Sequence, residues 1–381
     1  MPSQRTATRI FGLDVLRAIG GLMVVVAHTG HLVADHWPRF PPVPHIDWLA
    51  VFFVLSGFLI GNILLDALAR PGPPLLRLLD FLQRRWLRTL PNYYLFLLLN
   101  ILLVAFGLAP GMLSRATAVY AVFMQNFHLP LDLFFWESWS LAVEEWFYLL
   151  FPLLAFGLMA LPSLRGSTSF LWVCLLFILF PVAARMGVAH HVVDESTRNI
   201  WVQKLVITRL DAPGYGMLAA WVARHHRVFW RLLRWPALAC GIGLLLFLAT
   251  LARPAGPGAL LYGMNSLEAF ATALLLPLFS QWNNGGAWAG TFRLLSLTTY
   301  SLYLVHMPML YLLGRYVPGP VAWSCAARYG LFLAGAWAVA ALVYVAWERR
   351  FMRMRDPAGR WLARRFAAPV QAVRPSSTPR P

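Results

Sequence analysis

The run Gly12-Leu13-Asp14-Val15-Leu16-Arg17-Ala18-Ile19-Gly20-Gly21-Leu22-Met23-Val24-Val25-Val26-Ala27-His28 decides how the whole chain is read. It lies in an apolar stretch, 12 to 34, long enough to cross a bilayer as one helix. Three ionisable side chains interrupt it, and each is costly inside a membrane unless it has work to do there. From Arg17 to His28 is eleven residues, which at 100° per residue is 1100°, about 20° from a whole number of turns, with a rise of about 16 Å. Both side chains therefore leave one helix face, Arg17 near one end and His28 toward the other. Asp14 lies one turn before Arg17 and is expected to hold its guanidinium. A structural alternative is an arginine snorkelling to the headgroups and a histidine satisfied by a backbone carbonyl.

Working outward, apolar stretches of span length recur at 47–66, 91–109, 139–161, 169–186, 205–222, 235–252, 259–281, 294–316 and 325–347. The composition agrees: 59% of residues are apolar and 12% charged, against about 25% charged in soluble domains. A soluble enzyme is excluded, and 17 Trp, 12 Tyr and 26 Phe exclude a chain that stays solvated and disordered. The expected fold is an all-α polytopic membrane protein with about ten transmembrane helices. The stretch 113–127 is short and carries Arg115 and Gln125, so it reads as re-entrant or interfacial.

The net charge of +17 sits in short arginine blocks beside apolar runs, an orientation signal and not a nucleic-acid footprint. The blocks at 70–88, at 224–234 and after Trp347 are expected to face the cytoplasm, with both termini. Parity between the first two requires an even number of crossings, which holds if 113–127 does not cross. Arg5 and Arg9 precede an apolar run as in a secretory signal, but no small-x-small cleavage site follows, so it reads as a retained first helix. The expected organisation is a short cytoplasmic N-terminus at 1–10, a transmembrane domain at 11–348, and a segment at 349–381 that is basic and then a disordered cytoplasmic tail. Cys174, Cys240 and Cys325 have no CxxC spacing and imply neither disulfides nor a thiolate metal site.

Several other clusters bear chemistry. His28, His31, Asp35 and His36 invite a zinc reading, but there is no HExxH and most of them fall in a Pro-rich loop, so no metal is assigned. His31 and Asp35 are one residue short of an HxxxxD box. Arg84, Arg85 and Arg88, on adjacent faces of one turn, could clamp phosphates in bidentate fashion or serve as a positive-inside anchor. In Glu137-Ser138-Trp139-Ser140-Leu141-Ala142-Val143-Glu144-Glu145, adjacent carboxylates at a membrane boundary call for partners or function. His306, beside Pro308, reads as structurally satisfied.

Together these motifs resemble the membrane-bound acyltransferase type 3 family. The resemblance rests on Leu13-Asp14 and Leu16-Arg17 with His28, Phe52-Phe53-Val54-Leu55-Ser56-Gly57-Phe58, Arg84-Arg85 through Arg88 and Pro91, Trp139-Ser140-Leu141 with Val143-Glu144-Glu145, and Tyr300-Ser301-Leu302-Tyr303-Leu304 with His306. Trp146, where a Gln is common, and Val305, where an aromatic is common, depart from the pattern. The resemblance implies an O-acyltransferase of a bacterial inner membrane. It would move an acyl group, usually acetyl, from cytoplasmic acyl-CoA to a hydroxyl of a cell-surface or lipid-linked saccharide, with no permanently bound cofactor.

On that implication His28 is the general base, with an acyl-histidine intermediate as the variant. Arg17 orients the thioester with Asp14 as its partner, and Arg84, Arg85 and Arg88 bind the donor phosphates. Glu144 orients His28 or the acceptor, and Trp139 and Ser140 contact substrate. The rival reading is a transporter or flippase for a lipid-linked sugar or organic anion. A third is an accessory subunit of a glycan-assembly complex.

Overall fold

The computed structural model describes residues 9–30, 46–164, 167–251, 259–316 and 325–366. His31, Asp35 and His36, the first eight residues and the tail from 367 lie outside them. Every regular element among the described residues is helical. The longer helices are α1 (Phe11–Thr29), α2 (Trp48–Ala69), α3 (Pro74–Ala105), α4 (Ser138–Leu158), α5 (Ser167–Val188), α6 (Asp211–His225), α7 (Arg234–Thr250), α8 (Ala259–Ala273), α9 (Ala289–Tyr316), α10 (Cys325–Val343) and α11 (Arg355–Phe366).

Six segments among the described residues are long and apolar enough to cross a membrane: Phe11–Thr29, Trp48–Ala69, Pro74–Ala105, Ser138–Leu158, Ser167–His191 and Tyr329–Phe366. The expectation of about ten exceeds this for identifiable reasons. α6 starts at Asp211 and not near 205, because the short 3-10 turn Val206–Thr208 and the buried Arg209 precede it. α7 has 17 residues, and α8 ends at Ala273. α9 is long, but Arg293, Ser296, Thr298, Thr299, Ser301 and His306 dilute its apolar character. The 113–127 region contains an eight-residue 3-10 helix, Arg115–Val122. At about 2 Å per residue it rises about 16 Å, roughly half a hydrocarbon core.

α2 is apolar almost all round and is correspondingly buried on most faces. Asp47 caps it by accepting from the backbone N–H groups of Leu49 and Ala50, which satisfies two donors that the helix cannot. Its most extensive contact is with α6. There the backbones nearly touch: a Cβ at Gly57 would lie 2.1 Å from the Pro213 carbonyl oxygen, and one at Gly216 would lie 2.0 Å from that of Val54. Small residues at a helix crossing replace the hydrophobic drive that lipid removes. Beyond the crossing, Arg185 of α5 is fully buried and donates to Asp211 at 2.5 Å, to Ser266 at 2.9 Å and to the Thr208 and Tyr262 carbonyls.

α3 places the basic block. Pro74 occupies its first turn, where a missing N–H costs nothing. The helix then runs 32 residues through Pro91, about 48 Å, well beyond a 30 Å hydrocarbon core. Arg77, Arg84, Arg85 and Arg88 therefore belong to the same rod as the expected 91–109 span. α11 lies along this extended part of α3, while α1 packs against α9 and α2.

Candidate active site

A cavity of about 840 Å³ opens between α1, α2, α3, α4 and α9, with Arg355 and Met352 closing one side. That size is ordinary for a small-molecule site. From the chain before α1 it takes Arg9 and from α1 Asp14, Arg17 and Gly21; from α3, Arg85, Arg88 and Thr89; from α4, Ser140, Glu144 and Tyr148. Gly21 is required by the packing, since a Cβ there would sit 2.5 Å from Cγ2 of Thr299 on α9.

Helical geometry sorts the three arginines of this turn. Arg85 and Arg88 face the cavity, and Arg85 also lies over the Phe81 ring at 5.9 Å. Arg84 points the other way. Its Nε donates to Asp80 at 3.0 Å and its Nη1 to Asp356 of α11 at 2.8 Å. The expected three-arginine clamp is thus two cavity arginines and one strut.

Asp14 is engaged differently from the expectation. Its carboxylate accepts from Arg9 Nη2 at 2.7 Å and Nε at 2.9 Å, and from Ser296 Oγ at 2.7 Å. Arg17 reaches Ser296 Oγ at 3.4 Å and makes no direct bridge to Asp14. The extended chain before α1 brings Arg9 back over the first turn, a contact that no helical spacing encodes. Among the described residues, Arg17, Arg85 and Arg88 have no carboxylate oxygen within ion-pair distance, so none of the three guanidiniums is tied up in a direct ion pair.

Glu144 lies beside Tyr148 and Ser56 and within electrostatic reach of Arg88 and Arg17. Tyr148 and Ser56 share a 2.7 Å hydrogen bond. The carboxylate thus belongs to the arginine end of the cavity, whereas Lys204 is the charged neighbour of His28.

The opposite end is formed by Ser140 and Tyr303, whose hydroxyls are 2.7 Å apart, with Tyr303 also donating to the Glu137 carbonyl at 2.8 Å. The Tyr303 and His306 ring centroids are 5.6 Å apart. His306 is fully buried, and its Nε2 is 2.9 Å from Nδ1 of His28. His28 itself stands just beyond the cavity wall. Trp139 is also outside, against Phe53 in an edge contact at 6.2 Å, in a small recess shared with Trp136, Asp132 and Asn126. Among the described residues no three His, Cys, Asp or Glu side chains converge as metal ligands.

Sequence reasoning missed Arg9, Ser296, Tyr148, Glu348 and Arg355, and passed over His306. Of these, His306 had a visible signal in a lone histidine amid Tyr300-Ser301-Leu302-Tyr303-Leu304.

A multi-helical membrane protein with an arginine-lined cavity and a histidine pair just beyond its wall is the class that fold and site define. Residues 10–347 match the acyltransferase 3 family, described as an acyltransferase domain, and the chain belongs to that family of acyltransferase enzymes. It is 28% identical over 162 residues to "O-acetyltransferase OatA" of Staphylococcus aureus (strain NCTC 8325 / PS 47), covering 37% of this chain and 24% of that one. It is 34% identical over 158 residues to "Putative peptidoglycan O-acetyltransferase YrhL" of Bacillus subtilis (strain 168), covering 37% and 23%. The matches thus span about a quarter of these curated relatives. No solved structure matches the chain.

Proposed function

We propose that the protein is an integral-membrane O-acetyltransferase that takes an acyl group from cytoplasmic acyl-CoA and places it on a saccharide hydroxyl presented from the far side of a bacterial cell membrane. The observation that carries this reading is the two-ended cavity, with arginines at one end of α1 and the His28–His306 pair past the other, about 16 Å along the helix. Coenzyme A has its phosphates at one end and its thioester at the tip of a long arm. It fits that polarity.

In this reading Arg85, Arg88 and Arg17 bind donor phosphates, with Glu144 and Asp14 holding the guanidiniums in place through charge and Ser296. The arm runs toward Ser140 and Tyr303. Trp139 offers an aromatic wall on the acceptor side. His306 orients His28: with Nε2 of His306 accepting from Nδ1–H of His28 across their 2.9 Å contact, the lone pair of His28 is left on its Nε2. That nitrogen removes the proton of the acceptor hydroxyl as its oxygen bonds to the thioester carbonyl carbon. The carbon–sulfur bond then breaks, and the departing thiolate takes the proton from His28.

Purified protein in vesicles with acetyl-labelled acetyl-CoA tests the reading. Label transferred to a glycan acceptor, lost in His28→Ala, supports it. Residual transfer above about a tenth in that variant removes His28 as an essential base, which should contribute 10²-fold or more. Substrate movement without label transfer would favour a transporter.

A further inference from the structure

Beyond the end of the matched domain at residue 347, the chain folds back against the cavity. α11 is fastened to α3 at three points. Gln83 Nε2 donates to the Arg355 carbonyl at 3.1 Å, Arg84 donates to Asp356 at 2.8 Å, and Gly359 meets Asp80 so closely that a Cβ would lie 2.7 Å from its Oδ1. This fastening brings Arg355 to the cavity wall. Its Nε and Nη2 are shielded from solvent and have no hydrogen-bond partner among the described residues. Its electrostatic neighbours include Arg88, Arg85 and Arg84, with Glu348 an opposing charge. Glu348 is already engaged, accepting from Asn92 at 3.0 Å and Ser301 at 2.8 Å.

Two shielded N–H groups held among like charges are unfavourable until an anion arrives, and a cluster built this way is complete only with one bound. We propose that α11 is a wall of the donor site and that Arg355, with Arg85, Arg88 and Arg17, forms a four-arginine cradle for a phosphate-bearing ligand, the nucleotide end of acyl-CoA. The inference rests on the donor reading above and adds a residue and a segment outside the family domain. A planar guanidinium that presents Nε and one Nη together is the geometry that meets two phosphate oxygens at once. Asp356 does not compete for it, because Arg84 occupies that carboxylate. An anionic lipid headgroup has the same chemistry, so the test separates the two sources.

The test measures binding of coenzyme A by calorimetry to the full-length protein in nanodiscs of phosphatidylcholine alone, where no anionic lipid is present. Arg355→Gln is expected to weaken binding roughly 10-fold, the loss of one charged hydrogen-bonding group. Arg355→Lys should recover part of it, and Asp356→Asn, which loosens α11 without removing a cation, should weaken binding several-fold. Unchanged affinity in Arg355→Gln, with weakening in Arg85→Gln, overturns the role of Arg355 and leaves the donor reading intact. Unchanged affinity in both overturns the donor reading itself. If Arg355→Gln binds coenzyme A normally but loses co-purifying phosphatidylglycerol, measured by mass spectrometry after reconstitution in a 7:3 phosphatidylcholine–phosphatidylglycerol mixture chosen at about physiological anionic content, the ligand is lipid and the proposal fails. Should Arg355→Gln fail to assemble, Arg355→Lys and Asp356→Asn decide by the same readings.

Discussion

Nδ1 of His28 lies 2.9 Å from Nε2 of His306, the two rings being nearly parallel at 15° with centroids 5.2 Å apart. One histidine comes from the α1 motif and the other from α9, 278 residues later. If His306 fixes which nitrogen of His28 is free, replacing it should impair chemistry without touching the donor site. His306→Leu is expected to lower kcat about 10- to 100-fold, the usual effect of removing an orienting partner, with the KM for acyl-CoA unchanged. His306→Asn, whose amide oxygen can accept from Nδ1–H, should restore most of that loss. Steady-state kinetics on the two variants decide the matter, and equal loss in both would reduce the contact to packing.

Glu137 gives a pH prediction. It stands just before α4 and is 3% exposed, and neither carboxylate oxygen has a hydrogen-bond partner among the described residues. Burial pushes its carboxyl up from 4.5 to about 8. The folded state thus holds a proton that the unfolded state releases between pH 4.5 and 8. Stability from this group is highest below pH 4.5, falls as pH rises through that window, and levels off above about 8. Glu137→Gln, which never ionises, should therefore melt higher than wild type at pH 8.5, by up to a few kcal/mol in stability, with the gap closing toward pH 5. Thermal unfolding in detergent at the two pH values reads it directly, and a gap that is widest at pH 5 would reverse the assignment.

Much of the site was legible because helical spacing is local. Arg17 and His28 share a face of α1, and Arg85 and Arg88, one turn apart, share a face of α3. What escaped the sequence depends on contacts between distant segments. Arg84 differs from Arg85 only by which neighbour it meets, and that neighbour, Asp356, lies in a segment that reads as simple basic charge. Asp14 spaces correctly for Arg17, yet Arg9 reaches it first, because the chain before a helix is free to fold back over the first turn. Glu144 is expected from sequence to orient His28 or the acceptor. Its place on α4 puts it among the arginines, and the side chain within hydrogen-bonding distance of His28 is His306. The span count of about ten is not confirmed where short turns and polar faces interrupt apolar runs, as at Val206–Thr208 and along α9.

The arginine blocks give a testable expectation of sidedness. Arg70, Arg227 and Asp132 are all exposed, so cysteines introduced there should be accessible to reagent. After replacement of the native cysteines, of which Cys240 is exposed, positions 70 and 227 should label from the cytoplasmic face and position 132 only from the other. Labelling of position 132 from the cytoplasm would mean that the segment containing the 115–122 turn lies on that face, and the donor would then have to enter elsewhere.

The arginines of α3 give the sharpest separation, because neighbours in sequence have different partners in space. Arg85 and Arg88 line the cavity without a paired carboxylate, and Arg84 is held by Asp80 and Asp356. Neutralising Arg85 and Arg88 together should raise the KM for acyl-CoA by one to two orders of magnitude, at about 1 to 1.5 kcal/mol per charged hydrogen bond lost. The acceptor KM should hold, since on the proposed reading those arginines contact donor phosphate and not the acceptor. Arg84→Gln should behave otherwise. It removes two partly exposed ion pairs, each worth at most about 1 kcal/mol, and so lowers thermal stability slightly. Its effect on donor affinity should be confined to the few-fold change that follows from a loosened α11. His28→Ala should show a third pattern, with donor affinity retained and turnover lost, because a base that acts in the transition state adds little to ground-state binding. If instead Arg84→Gln matches the double variant in donor KM, all three arginines act as one electrostatic patch. The facing of individual side chains would then carry no weight in donor recognition.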